Sequence, residues 1–148
     1  MGLATPEFVV TPGPIDARAL EAAVLWPGAG AALSFTGVVR DSFGGEAVTG
    51  LSYEAYTPLC AAVWAEIVAE AAARWPGARL AGAHRTGDLA VGEVAVVVSV
   101  AAPHRDEAYA ASRYAMEALK ARLPVWKKEH TVSGSHWKPN TPPPEHTP

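Results

Sequence analysis

Lys120, Lys127 and Lys128 stand on either side of Pro124, in the run ALKARLPVWKKE. A proline cannot continue a helix, and it biases Leu123, the residue before it, away from helical angles. Ahead of it, Tyr109, Tyr114, Ala115, Met116, Leu119 and Leu123 recur at three- to five-residue steps, the pattern of a helix with one apolar side. Beyond it, alternation predicts a strand with Val125, Lys127 and Glu129 on one face and Trp126 and Lys128 on the other. Lys120 in the last helical turn and Lys127 in the strand are then separated by one corner, so both ammonium groups can reach one cavity. Two such charges close together depress each other's pKa, and burial depresses either further. That suits acid/base or nucleophilic work by one lysine and anion clamping by the other. The plain alternative is that Lys120 favours the helix dipole from a solvated surface, while Lys127 and Lys128 blunt a sheet edge.

Two further groups suit anions. His104 and Arg105 follow Pro103 at the start of the same helix, where free N–H groups and the dipole favour a phosphate. Arg40 ends an alternating stretch just before a polar, Gly-containing loop. Metal chemistry has no support: the five histidines and single cysteine show no helix-ligand or zinc-finger spacing. There is no P-loop, no dinucleotide fingerprint and no nucleophile elbow. Cys60 falls on the apolar stripe of a helix and reads as an inert core thiol.

The whole chain sets limits on partners. Its 148 residues suit one domain with a real core, and 49% apolar with 18% charged residues suit a globular protein. A net charge of −3 argues against a general nucleic-acid binder. A cationic cluster inside an acidic chain points instead to a small anion or an acidic partner. One cysteine forms no internal disulfide, no secretory leader is visible, and no apolar run reaches the ~18 residues a membrane span needs. The expected location is the cytoplasm.

The supporting elements follow from periodicity. Residues 7–11 read as an edge strand. Asp16 caps a helix over 17–25 with Leu20, Val24 and Leu25 inward. Residues 31–40 alternate as a strand, and 48–56 read as its partner. Thr57-Pro58 starts a second helix, whose stripe runs Leu59, Val63, Ile67, Val68, Ala71, Trp75. Residues 79–85 are a strand, Gly87-Asp88 and Gly92 mark turns, and 93–102 are apolar on both faces, hence a central strand. From Ser133 onward only Trp137 is expected to be held. The domain is expected to span 1–137, with a Pro-rich disordered tail over 138–148. Two helices on one face of a mostly antiparallel sheet give an α+β, two-layer domain.

Several of these pieces together resemble one family. FTGVVR at 35–40, LSYEAY at 51–56, HRTGDLAVGE at 84–93, HRDEAY at 104–109, MEALK at 116–120 and PVWKKE at 124–129, with Gly134 and Trp137 after them, are similar in order and spacing to the large, catalytic subunit of molybdopterin synthase, the MoaE type. The resemblance covers roughly residues 7–137. It implies an α/β-hammerhead fold, mostly antiparallel with helices packed on one face, and a sulfurtransferase of molybdenum cofactor biosynthesis.

Such enzymes move sulfur from the C-terminal Gly-Gly thiocarboxylate of a small ubiquitin-like subunit to cyclic pyranopterin monophosphate, building the dithiolene of molybdopterin. The usual assembly is a homodimer of large subunits with a small subunit at each end, a heterotetramer. No cofactor is implied. By position, Lys120 and Lys127 match the active-site lysines. Val39, Arg40, His104, Arg105, Lys128 and Glu129 match substrate-contacting positions, with Phe35 and Met116 lining the pocket. Family members often carry lysine where this chain has Val38; a backbone contact there survives the change, a side-chain contact to phosphate does not. A non-catalytic scaffold that only binds a Gly-Gly-tailed partner is the competing expectation, and its mark is loss of one active-site lysine. Both are present. The helix from His104 to Lys120 is too long for one chain to bring both ends to one pterin, so a site shared across a two-fold dimer is expected.

Overall fold

The computed structural model describes residues 8–132 and 134–138. Along the chain run β1 (Val9–Thr11), α1 (Ala17–Val24), β2 (Ala31–Val38), β3 (Ser42–Phe43), β4 (Glu46–Ala55) and α2 (Thr57–Arg74). After these come β5 (Arg79–Arg85), β6 (Gly87–Ala90), β7 (Val94–Ala102), α3 (Arg105–Arg122), β8 (Val125–Thr131) and β9 (Gly134–Lys138). The architecture is α+β and dominated by antiparallel pairing, as expected; among the described residues only β1 on β5 is parallel.

The strands form two sheets. The first has the order β1-β5-β7-β2. β7, apolar on both faces, is interior to it, as its composition predicts. Alternate side chains of β5 and β7 go to opposite sides. Leu80, Val96, Val98 and Val100 join Trp64 and Ile67 of α2 and Ala111, Ala115 and Leu119 of α3 in the main core. Ala81, Ala83, Val97 and Ala101 pack instead on Leu20 and Val24 of α1. Thus α2 and α3 share one face, and α1 covers the other. In the second sheet β4 pairs with β8 along one edge and with β3 and β6 along the other, and β9 lies beyond β8.

Several expectations change. β2 and β4 do not pair; β2 is an edge strand on β7, and β4 belongs to the second sheet. The register of β2 shifts at Gly37/Val38, and the Val39 main chain then turns to residues 92–93 (Val39 N–H to the Glu93 carbonyl 3.0 Å, Gly92 N–H to the Val39 carbonyl 2.8 Å). The tight hairpin is β3–β4, whose turn needs the positive φ of Gly44 (60°) and Gly45 (84°). Gly87-Asp88 is not a turn but the start of β6, by which the chain crosses from the first sheet to the second.

Helix faces also rotate from the expected stripes. In α2 the buried line is Cys60, Trp64, Ile67, Ala71, and Leu59 is exposed. Tyr56, not Thr57, is the N-cap, and no side chain bonds there; Pro58 does sit in the first turn. In α3 the buried face is Ala108, Ala111, Ser112, Ala115, Met116 and Leu119, while Tyr109 is 66% exposed. Small residues let α3 lie close to β7, which leaves the larger ring outside. Asp16 caps α1 as expected, accepting the Ala19 N–H, but Leu25 is extended at the C-cap and faces outward. More than Trp137 is held after Ser133: β9 pairs in register with β8 from Gly134 to Lys138. The rest of the expected tail lies outside the described residues.

Candidate active site

The corner forms as the sequence predicts. α3 ends where the Leu123 N–H reaches the Leu119 carbonyl (2.9 Å), and Leu123 is extended (φ −72°, ψ 129°) ahead of Pro124. β8 starts at Val125. Its odd residues face inward, with Lys127 opposite Tyr53 and Glu129 opposite Leu51 on β4. Lys120 on the last turn of α3 and Lys127 on β8 therefore line one cavity of about 170 Å³.

Four further segments, with more of α3 and β8, wall that cavity. β2 gives Phe35, Gly37 and Val38, and Arg40 follows it. The β3–β4 hairpin gives Ser42, Phe43, Val48, Leu51 and Tyr53; β5 gives His84; β7 gives Ala95 and Val96; α3 adds Leu119 and β8 adds Glu129. Gly37 is there for space: a Cβ would meet Val96 Cγ1 at 2.6 Å. The Lys127 ammonium lies 5.7 Å from the centre of the Phe43 ring, inside cation–π range. Glu129 is 2% exposed, a carboxylate among cations. Met116 and Phe35 meet Lys120 in a shallower crevice that adjoins the cavity.

Burial shapes the titration of the floor. The Tyr53 phenol is pushed up to about 12 by burial. His84 is pulled down from 6.5 to about 4, first by burial and then by the charges of Lys120 and Lys127, against an opposing bond to the Arg85 carbonyl. An anionic ligand thus meets fixed cations and a neutral imidazole in a walled space, where electrostatic stabilisation is stronger than in water.

Not every expected residue is here. His104, the N-cap of α3, and Arg105 border a separate, open depression with Gly30, Pro103 and Asp106. Arg105 and Lys120 sit fifteen positions apart on one helix, ~22 Å at ~1.5 Å per residue. Lys128 is on the outer face of β8, opposite Ser52 and Trp137. The Val39 side chain is buried in the main core. Val38 does line the cavity.

The sequence model of the MoaE protein family matches residues 10–122. The chain belongs to that family. Similar MoaE-type proteins include the molybdopterin synthase catalytic subunit of Halalkalibacterium halodurans, 41% identical over 135 residues (91% of this chain, 86% of the relative). Catalytic subunit 1 of Mycobacterium tuberculosis is 41% identical over 134 residues (90% and 91%). The crystal structure of molybdopterin synthase from Staphylococcus aureus superposes with a TM-score of 0.86 at 36% identity, covering 91% of this chain and 98% of that one.

Within this MoaE-family cavity, sequence reasoning missed His84, Tyr53 and Phe43. His84 had a signal: it is the lone titratable residue amid Leu80, Ala81, Gly82 and Ala83, on the alternating face that carries Leu80. Tyr53 was legible as an inward face with Leu51, but not what it would meet. Phe43 had no signal, because a hairpin tip faces whatever the other sheet places beneath it.

Proposed function

We propose that this MoaE-family chain is the catalytic subunit of a molybdopterin synthase, a sulfurtransferase that places two sulfurs on cyclic pyranopterin monophosphate. The observation that carries this is the convergence of Lys120 and Lys127 with Arg40 in one cavity, on a chain 41% identical to such subunits. The sulfur comes from the C-terminal thiocarboxylate of a small ubiquitin-like subunit, whose Gly-Gly tail carries no side chains and so suits a narrow, walled site. A thiocarboxylate and a phosphate are both anions, and acyl transfer passes through an oxyanion; fixed ammonium and guanidinium groups stabilise all three. The reaction belongs in the cytoplasm.

His104 and Arg105 enter by symmetry. At ~22 Å from Lys120 along a rigid helix they do not serve the same site of the same chain. An isologous dimer brings them to the partner's cavity and makes two equal sites, each reached by one small subunit, which gives a heterotetramer. The test is incubation with thiocarboxylated small subunit and cyclic pyranopterin monophosphate, read by mass spectrometry. Two added sulfurs are expected, and a pterin that stays unsulfurated sinks the proposal.

A further inference from the structure

His84 stands inside the cavity with 3% of its surface exposed. Its Nδ1 is 2.8 Å from the Arg85 carbonyl oxygen. A carbonyl oxygen only accepts, so Nδ1 carries the proton and Nε2 keeps its lone pair. Arg85 is itself anchored, with its guanidinium on the Glu93 carboxylate (3.2 Å) and the Pro12 carbonyl (3.3 Å). The Tyr53 ring meets the imidazole edge-on, centroids 4.8 Å apart, and holds its plane. Burial, and after it the charges of Lys120 and Lys127, keep the ring neutral at ordinary pH. The cavity therefore holds a base of fixed tautomer beside two cations. Clamping an anion does not need such a base; moving a proton does.

We propose that His84 is a catalytic base of this site, taking a proton from the water that releases the small subunit from its sulfurated product. This rests on the sulfur-transfer reading. Once the thiocarboxylate sulfur has bonded to a pterin side-chain carbon, the small subunit is held as a thioester. Water attacks the acyl carbon, forming a C–O bond, and one water proton passes to Nε2. The C–S bond then breaks, and its electron pair stays on the sulfur of the pterin. The small subunit departs as a carboxylate, its second proton going to solvent. No oxidant or reductant is consumed. The cavity of about 170 Å³ is large enough to admit a water, which needs ~10–15 Å³ of such space.

A single turnover with thiocarboxylated small subunit and cyclic pyranopterin monophosphate, followed by intact-mass analysis, tests this. In His84→Gln, release is expected to slow about 10²-fold, while a small-subunit–pterin adduct builds up. Hydroxylamine, a strong nucleophile toward thioesters, discharges that adduct equally fast in variant and wild type. Release within about twofold of wild type, or slow turnover with no adduct at any time, overturns the role of His84. Nitrogen-15 NMR of the unaltered protein gives a check that does not depend on the variant folding. A protonated Nδ1 and bare Nε2 are expected at pH 7, and a cationic ring or the other tautomer overturns the proposal. A wild type that transfers no sulfur fails the broader reading instead, so the two failures are told apart by that control.

Discussion

The two ends of α3 carry similar residues in different surroundings. At the C-terminal end, Lys120 looks across a corner at Lys127, with two sheets and a hairpin closing the space around it. At the N-terminal end, His104 and Arg105 stand on an open ledge beside Gly30 and Pro103. The sequence singles out Lys120 because it shares a corner with Lys127, and His104 and Arg105 because they stand at a helix start. A cation thus becomes part of a site through what stands opposite it, and a terminus alone supplies only half of one.

Breaking the enclosed end should have the largest effect. Lys120→Ala and Lys127→Ala are each expected to lower turnover by roughly 10²-fold or more, the scale of losing an acid/base or oxyanion group. Thermal melts should barely move. Near wild-type turnover with the small subunit in excess would make that lysine a surface charge.

The open end sharpens the comparison by complementation. Arg105→Ala alone should be inactive if a partner chain completes the ledge. Mixed with Lys120→Ala and allowed to exchange, it should recover about a quarter of wild-type turnover, since half the dimers are mixed and each has one intact site. No recovery after verified exchange breaks the shared-site idea.

Lys127 and Lys128 repeat the comparison on one strand. They are neighbours in sequence but face opposite sides of β8. Lys128→Ala is expected to cost at least about tenfold less turnover than Lys127→Ala, because only the inner lysine meets the walled space. Equal losses in steady-state kinetics would mean that the outer face also meets substrate.

The smallest effect is on stability against pH. His84 is held at about 4 in the fold, below its ordinary 6.5, so between those values the unfolded chain binds a proton that the folded chain does not. Stability from this group is complete above about pH 6.5 and falls as pH drops toward 4, by ~3 kcal/mol at most. Tyr53, Lys120 and Lys127 are its facing groups. Glu70 acts in the next window down: its bonds from Arg122 and then Tyr114 hold it at about 2, so its contribution is lost below its ordinary 4.5. Denaturant titrations of His84→Gln should show a flatter curve between pH 6.5 and 4; an unchanged slope there refutes the assignment.

Periodicity made the elements of the site legible, since alternation and the proline break are local properties of the chain. Lys120, Lys127, Glu129 and Arg40 were placed on the right ends and faces for that reason. Helix faces rich in alanine were misread, because a residue count of apolar size rewards Tyr109 and Leu59, whereas the packed faces bury Ala108 and Trp64. The partner of β2 was misread because a hairpin is the default for two strands joined by a Gly-containing loop. Here the loop holds its own short strand, and the Val39 main chain bonds to residues 92–93 instead.

Local chain chemistry makes a helix stop at Pro124 and a strand follow, which sets two lysines around one corner, and it makes β7 apolar on both faces. What that corner faces depends on the packing of distant strands. His84, Tyr53 and Phe43 come from strands 36 to 77 positions upstream of Lys120, and they meet it because two sheets, joined where β5 runs on into β6, fold over the end of α3. Backbone periodicity fixes which way a side chain points from its own element; which other element lies in that direction depends on long-range packing that leaves no local trace.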